Sequence, residues 1–190
     1  MSALPVETMT YAAYLALERG SEIKHEFVDG HVYAMSGGTP EHARLASALT
    51  FFLMRGLEGR PCRVFSSDLR VRIEATRRAT YPDLTVVCGP VDTSPDDPDA
   101  VTNPTVLVEV ISETSERTDR IEKWAHYRRI PSLAAYVLVS QDEPRIESYR
   151  RDGTRWIFEE AAPGQELVIG GVELAVAVDA LYAGALTPAR

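Results

Sequence analysis

Three ionisable residues in the middle of the chain have the types and spacing of a reaction centre. Glu109 sits inside a short apolar run, Thr105 to Ile111 (T-V-L-V-E-V-I). A carboxylate in such a run is costly unless it is paired, protonated or on a metal. Asp83 stands at the mouth of a second run, Tyr81 to Cys88 (Y-P-D-L-T-V-V-C). Two carboxylates, one at a strand's start and one inside its neighbour, could converge on a divalent cation. Magnesium takes carboxylate oxygens and keeps several of its waters. Further on, Asp119, Lys123 and Tyr127 recur every four residues, which puts them on one face of a helix.

Each residue also has a plainer reading. Asp83 could be a turn residue accepting backbone N–H bonds at a strand start. Glu109 could be a buried partner of Arg70 or Arg72. Lys123 could form an exposed i,i+4 pair with Asp119, worth about 0.3 kcal/mol. Spacing alone leaves these alternatives open.

The elements that must position these residues follow from periodicity. Thr105–Ile111 is rich in β-branched residues and bounded by Asn103-Pro104 and Ser112, which predicts a buried central strand. Alternation puts Leu107, Glu109 and Ile111 on one face and Val106, Val108 and Val110 on the other. Pro82 suits only a strand start or an edge, so Asp83 opens its strand. Upstream, Thr10 to Arg19 reads as a short capped helix, and Asp29-Gly30 as a hairpin turn between two alternating runs. Glu41 to Leu57 has apolar residues at helical spacing. Arg63 to Ile73 reads as one strand, with Val64, Leu69, Val71 and Ile73 facing in, and Glu74 to Thr80 as a polar turn. Gly89 to Asn103, acidic and Pro-rich, reads as a surface loop. Ser115 or Thr118 can cap a helix reaching about Arg129, which Ile130-Pro131 ends. Ala134–Ser140, Arg145–Arg151 and Arg155–Glu160 predict a meander. The expected architecture is α+β: a mixed sheet with a helix on each side, in one domain covering residues 1–190.

Composition bounds the function. The chain has 190 residues, 45% hydrophobic and 25% charged, ordinary for a soluble globular protein with a full core. No run of about eighteen apolar residues is present, so no membrane span is expected. The first residues lack the basic start and apolar core of a signal peptide. Cys62 and Cys88 have no metal or disulfide spacing and read as buried free thiols, with a reducing cytoplasm as the default. A net charge of −8 counts against a protein that coats nucleic acid nonspecifically. It does not exclude an enzyme acting on DNA, because an acidic site whose cation offsets it locally supplies part of that charge.

The ordered set Y-P-D-L-T-V-V, P-T-V-L-V-E-V-I-S, and D-R-I-E-K-W-A-H-Y-R-R-I-P-S-L-A-A-Y-V-L-V resembles the Uma-type restriction endonuclease family, a branch of the PD-(D/E)xK nuclease superfamily. E-F-V-D-G-H-V-Y-A-M-S, with His42 in the helix after it, also matches, and the resemblance covers most of Thr10 to Glu160. It implies a restriction-endonuclease-like fold and metal-dependent cleavage of DNA phosphodiester bonds. It also implies magnesium, for which manganese can substitute, held by Asp83, Glu109 and the backbone carbonyl of Val110. A homodimer is a further expectation, since cutting a duplex means cutting two strands. The superfamily lysine belongs two residues after the glutamate, where this chain has Ile111; Lys123 is its replacement. The competing reading is a catalytically inactive binding module on the same fold.

Four further residues are candidates in support. Glu26, or else Glu41, could bind a second metal or a metal-bound water, or be a solvated glutamate. His42, in the first turn of a helix, could touch a phosphate or pack under the Gly37-Gly38 loop. Asp119 and Tyr127 share the Lys123 face. Arg128-Arg129 and the group Arg145, Arg150, Arg151 and Arg155 could track a DNA backbone, with Tyr149 and Trp156 interleaved, or form a solvated meander face.

Overall fold

The protein is described here from a computed structural model, over residues 8–113 and 115–184. Helix α1 (Tyr11–Gly20) starts at Thr10, whose hydroxyl accepts from the Ala13 amide at 3.2 Å, and buries Tyr14 and Leu15. Strands β1 (His25–Val28) and β2 (His31–Ala34) form the hairpin. Asp29 and Gly30 at its turn have φ of 45° and 93°, the left-handed pair that an Asp-Gly turn supplies. Helix α2 (Pro40–Gly56) is capped by Thr39 and buries Leu45, Leu49 and Leu53, the stripe expected from the sequence.

The strands that follow are β3 (Cys62–Ser66), β4 (Arg70–Ile73), β5 (Arg78–Thr80), β6 (Leu84–Cys88), β7 (Thr93–Ser94), β8 (Asp97–Val101) and β9 (Val106–Ile111). A π-helical segment, Thr118–Lys123, runs directly into α3 (Trp124–Tyr127). The chain continues through β10 (Ala135–Ser140), β11 (Ile146–Asp152), β12 (Arg155–Ala161), β13 (Glu166–Ile169), β14 (Leu174–Ala177) and α4 (Val178–Leu181). One six-stranded sheet has the order β2-β1-β5-β4-β8-β7, the other β12-β11-β10-β9-β6-β3. In the second, β9 and β10 are parallel and the remaining pairs antiparallel.

Strand β9 is buried along its whole length and divides the core as alternation requires. Val106, Val108 and Val110 pack with the leucines of α2, while Leu107 and Ile111 pack with Val71, Tyr127 and Leu138. Each face of the sheet therefore has its helix, α2 on one side and the Thr118–Tyr127 helix on the other. Glu109 faces the second.

Four sequence expectations are corrected. Arg63–Ile73 is not one strand: the chain turns at Ser66–Leu69, and β3 and β4 join different sheets. Glu74–Thr80 is not simply a turn, since its second half is the fully buried β5. Gly89–Asn103 is not a surface loop. It contains β8, whose Asp97 is buried because Arg70 meets it through two bonds, at 2.7 and 2.8 Å. Cys62 and Cys88 are not free thiols. Pairing of β3 with β6 sets them directly opposite each other, and they form a disulfide. Among the described residues no helix is long and apolar enough to cross a membrane.

Candidate active site

The antiparallel register of β6 and β9 pairs Leu84 with Val108. One residue earlier on β6, Asp83 comes level with Glu109. The Asp83 carboxylate accepts from the Val110 amide at 2.7 Å, and the same oxygen, Oδ2, lies 3.0 Å from His42 Nε2. His42 reaches it from the first turn of α2. Its ring is tucked against Gly38, where a Cβ would stand 2.6 Å from Nδ1. The bond to Asp83 raises the His42 pKa, with burial opposing.

Glu109 is 3% exposed. Its Oε1 accepts from the Tyr127 hydroxyl at 2.8 Å and lies 3.0 Å from Lys123 Nζ. The same Nζ is 2.9 Å from Asp119 Oδ1. Burial, helped by the neighbouring charges of Asp83 and Asp119, pushes the Glu109 pKa up to about 8, with Lys123 pulling the other way. For Lys123, burial lowers the pKa, but Glu109, Tyr127, Asp119 and Glu26 outweigh it and hold the ammonium charged. Asp119 and Lys123 both lie in the π-helical segment, a local widening that recurs at functional sites. The Asp119 carbonyl accepts from the Tyr136 hydroxyl of β10 at 3.1 Å, which ties that segment to the sheet.

The structure thus brings together Asp83, Glu109, Lys123, Asp119, Tyr127 and His42. The Val110 amide is spent on Asp83. Ile111, two residues after Glu109, is buried in the core, and Lys123 reaches Glu109 from the helix. Glu109 has neither Arg70 nor Arg72 as its partner. Arg70 holds Asp97, and Arg72 lies 3.4 Å from Glu74 and 3.8 Å above the Tyr11 ring. Glu41 is held by Arg44 at 2.6 Å. Glu26 accepts from Arg78 Nη2 at 2.7 Å and from the Thr80 hydroxyl. Among the distal arginines, Arg145 binds Glu147 and Glu143, Arg150 binds Glu159, and Arg151 donates to the Leu133 and Ile130 carbonyls. These three are structural, which leaves Arg128, Arg129 and Arg155 exposed.

Arg78 is the residue the sequence reading missed. It is 2% exposed; burial works to lower its pKa, and Glu26 first, then Tyr127 and Glu109, raise it above its ordinary value. It fell inside a presumed turn. The signal available was Ala79-Thr80-Tyr81, a run compatible with a strand leading into Pro82.

The chemistry of this donor set suits a hard divalent cation. The acids Glu26, Asp83, Glu109 and Asp119 outnumber the cations Arg78 and Lys123 around this site, and Asp83 and Asp119 add to the effect of burial in raising Glu109. Among the described residues no group of three or more His, Cys, Asp or Glu is set to hold a metal ion. A divalent cation at this place would have Asp83 and Glu109 as its side-chain ligands, and its remaining positions would fall to water or a backbone carbonyl.

The two six-stranded sheets, with a half-buried Asp83 at the mouth of β6 and a buried Glu109 inside β9, have the restriction-endonuclease-like fold. Its likeness to a solved structure is broad: the crystal structure of a "putative nuclease belonging to DUF820" from Anabaena variabilis ATCC 29413 superposes with a TM-score of 0.76 over 92% of this chain and 97% of that one, at 17% identity. Residues 11–179 match the sequence profile of Uma2, described as "Putative restriction endonuclease". The chain belongs to the Uma2 family. Two relatives come from Synechocystis sp. (strain ATCC 27184 / PCC 6803 / Kazusa). "Uncharacterized protein slr1290" is 33% identical over 181 residues, covering 95% of this chain and 94% of its own length. "Uncharacterized protein sll1609" is 32% identical over 161 residues, covering 84% and 91%.

Proposed function

We propose that the protein is a metal-dependent endonuclease that hydrolyses phosphodiester bonds in DNA. The observation that carries this reading is the level placement of Asp83 and Glu109 on the paired β6 and β9 segments, with Lys123 in contact with Glu109. The family description and the nuclease neighbour agree with it.

Asp83 and Glu109 would hold magnesium or manganese, with the Val110 carbonyl as a third protein ligand. The cation would supply an activated water and stabilise charge on the scissile phosphate. The Val110 amide and His42 fix the Asp83 carboxylate, so this ligand needs no reorganisation on binding. Tyr127 does the same for Glu109. Lys123, held charged, has no lone pair to take a proton. Its role is to orient the attacking water and offset negative charge on phosphate oxygens, while Asp119 keeps its ammonium aimed at Glu109. Arg78 and Glu26 back the site from the first sheet. The working form is a homodimer, two such sites serving the two strands of a duplex.

The test is nicking of supercoiled plasmid with magnesium or manganese, wild type beside Glu109→Ala. Nicking by wild type that both EDTA and the substitution remove supports the reading. No nicking across both metals, a range of salt and several DNA substrates would favour a binding module on the same fold.

A further inference from the structure

The sheet face that carries Glu109 continues past the Thr118–Tyr127 helix onto β11 and β12. There Tyr149 stands opposite Phe158, and Arg151 opposite Trp156. Trp124, the residue after Lys123, joins them from the helix. Its ring stacks on Tyr149 with centroids 4.3 Å apart and planes 18° apart, and meets Trp156 edge-on at 4.8 Å. Tyr149 in turn meets Phe158 at 5.3 Å. The series runs outward from Tyr136, fully buried beside Trp124, and ends on Phe158, which is 49% exposed. Ile121, on the same helix, is 62% exposed.

Core packing explains the inner rings but not the outer end, where a large aromatic shows half its surface to water. Guanidinium groups stand beside it. The Arg151 guanidinium, fixed by the Leu133 and Ile130 carbonyls, lies 4.4 Å from the Trp156 ring centroid, so it edges the ring and leaves phosphate contact to the exposed arginines. Arg155 adjoins Trp156 in sequence and Arg128 lies one turn after Trp124, both exposed. Of the acids beside this face, Glu147 is engaged by Arg120 and Arg145, Glu160 lies 3.9 Å from Arg145, and Asp152 stands opposite Arg155. Half-open rings edged by guanidinium groups are what unstacked nucleobases bind, the rings taking the bases and the arginines the phosphates.

We infer that this face binds single-stranded DNA, or a locally unpaired strand, without fixed sequence, and feeds it towards Lys123 one residue away. The inference rests on the nuclease reading for its choice of ligand. Its test needs no cleavage, so the two can fail separately. The chain's two tryptophans both belong to the stack, so their emission reports on it directly. Full-length protein in EDTA is titrated with a fluorescein-labelled twenty-nucleotide oligo-dT and with a duplex of equal length. Anisotropy gives the affinity, and intrinsic emission is followed with unlabelled DNA. The single strand is expected to bind more tightly than the duplex and to quench the tryptophans. Phe158→Ala should weaken binding about ten-fold, the order of one stacked base, and Phe158→Trp should restore it, both variants keeping wild-type circular dichroism. Equal affinity for the duplex, no binding, or an unchanged affinity in Phe158→Ala overturns the inference. So does a self-association, seen by sedimentation, that Phe158→Ala dissolves while oligonucleotide affinity stays the same; the patch would then be a contact between copies. If oligo-dT binds through Phe158 but plasmid is never nicked, the inference stands and the nuclease reading falls.

Discussion

Replacing Glu109 by Gln should make the metal-free protein more stable, increasingly so as pH rises from about 4.5 to about 8. Burial and the acids around it push the Glu109 pKa from an ordinary 4.5 up to about 8. Between those values the native state keeps a proton that the unfolded chain has released. Stability therefore falls as pH rises across the window. The window spans roughly three and a half pH units, at about 1.4 kcal/mol each, for a full swing of about 5 kcal/mol. That is a large share of a typical domain's stability of about 5–15 kcal/mol. Gln fills the same volume, can still accept from Tyr127, and leaves Lys123 paired with Asp119. Urea unfolding in EDTA at pH 5 and pH 8.5 measures the effect. Wild type and Glu109→Gln should nearly coincide at pH 5, and the variant should be several kcal/mol more stable at pH 8.5. A difference of the same size at both pH values would refute the electrostatic reasoning, because a packing change does not titrate.

Three other perturbations follow from the same structure. His42 has its pKa raised by Asp83, so its stabilising contribution is full below its unfolded pKa and is lost as pH rises through the folded value; His42→Asn should cost more stability at pH 5.5 than at pH 9 in urea titrations. Arg70→Met leaves Asp97 buried and unpaired, and should cost about 3–5 kcal/mol by the same assay, whereas Arg155→Met, at an exposed position, should cost less than about 0.5 kcal/mol. The Cys62–Cys88 disulfide closes a loop with a sequence separation of 26, so reduction should cost about 3 kcal/mol, and thiol titration of denatured, unreduced protein should find no free thiol.

Legibility in the sequence was uneven, for physical reasons. The β9 faces were readable because alternation is local and one polar residue in an apolar run is conspicuous. The shared face of Asp119, Lys123 and Tyr127 was readable because four-residue spacing survives in both α and π windings; the π winding itself leaves no mark that spacing shows. Arg78, Asp97 and the disulfide were not readable, because each depends on a distant segment. Arg78 makes sense only beside Glu26, and Asp97 only beside Arg70. Cys62 meets Cys88 only after β3 has left β4 for the other sheet. Buried polar residues look like loop composition until their partners are known. That is why β5 and β8 read as a turn and a loop in the sequence alone. The family resemblance supplied what spacing could not, the expectation that Lys123 rather than Ile111 serves Glu109.

The central claim is that Asp83 and Glu109 together hold a divalent cation. Isothermal titration with manganese tests it most directly, on wild type and Asp83→Ala. The account expects one manganese ion per chain for wild type and none for the substituted protein. An unchanged affinity in Asp83→Ala would contradict it.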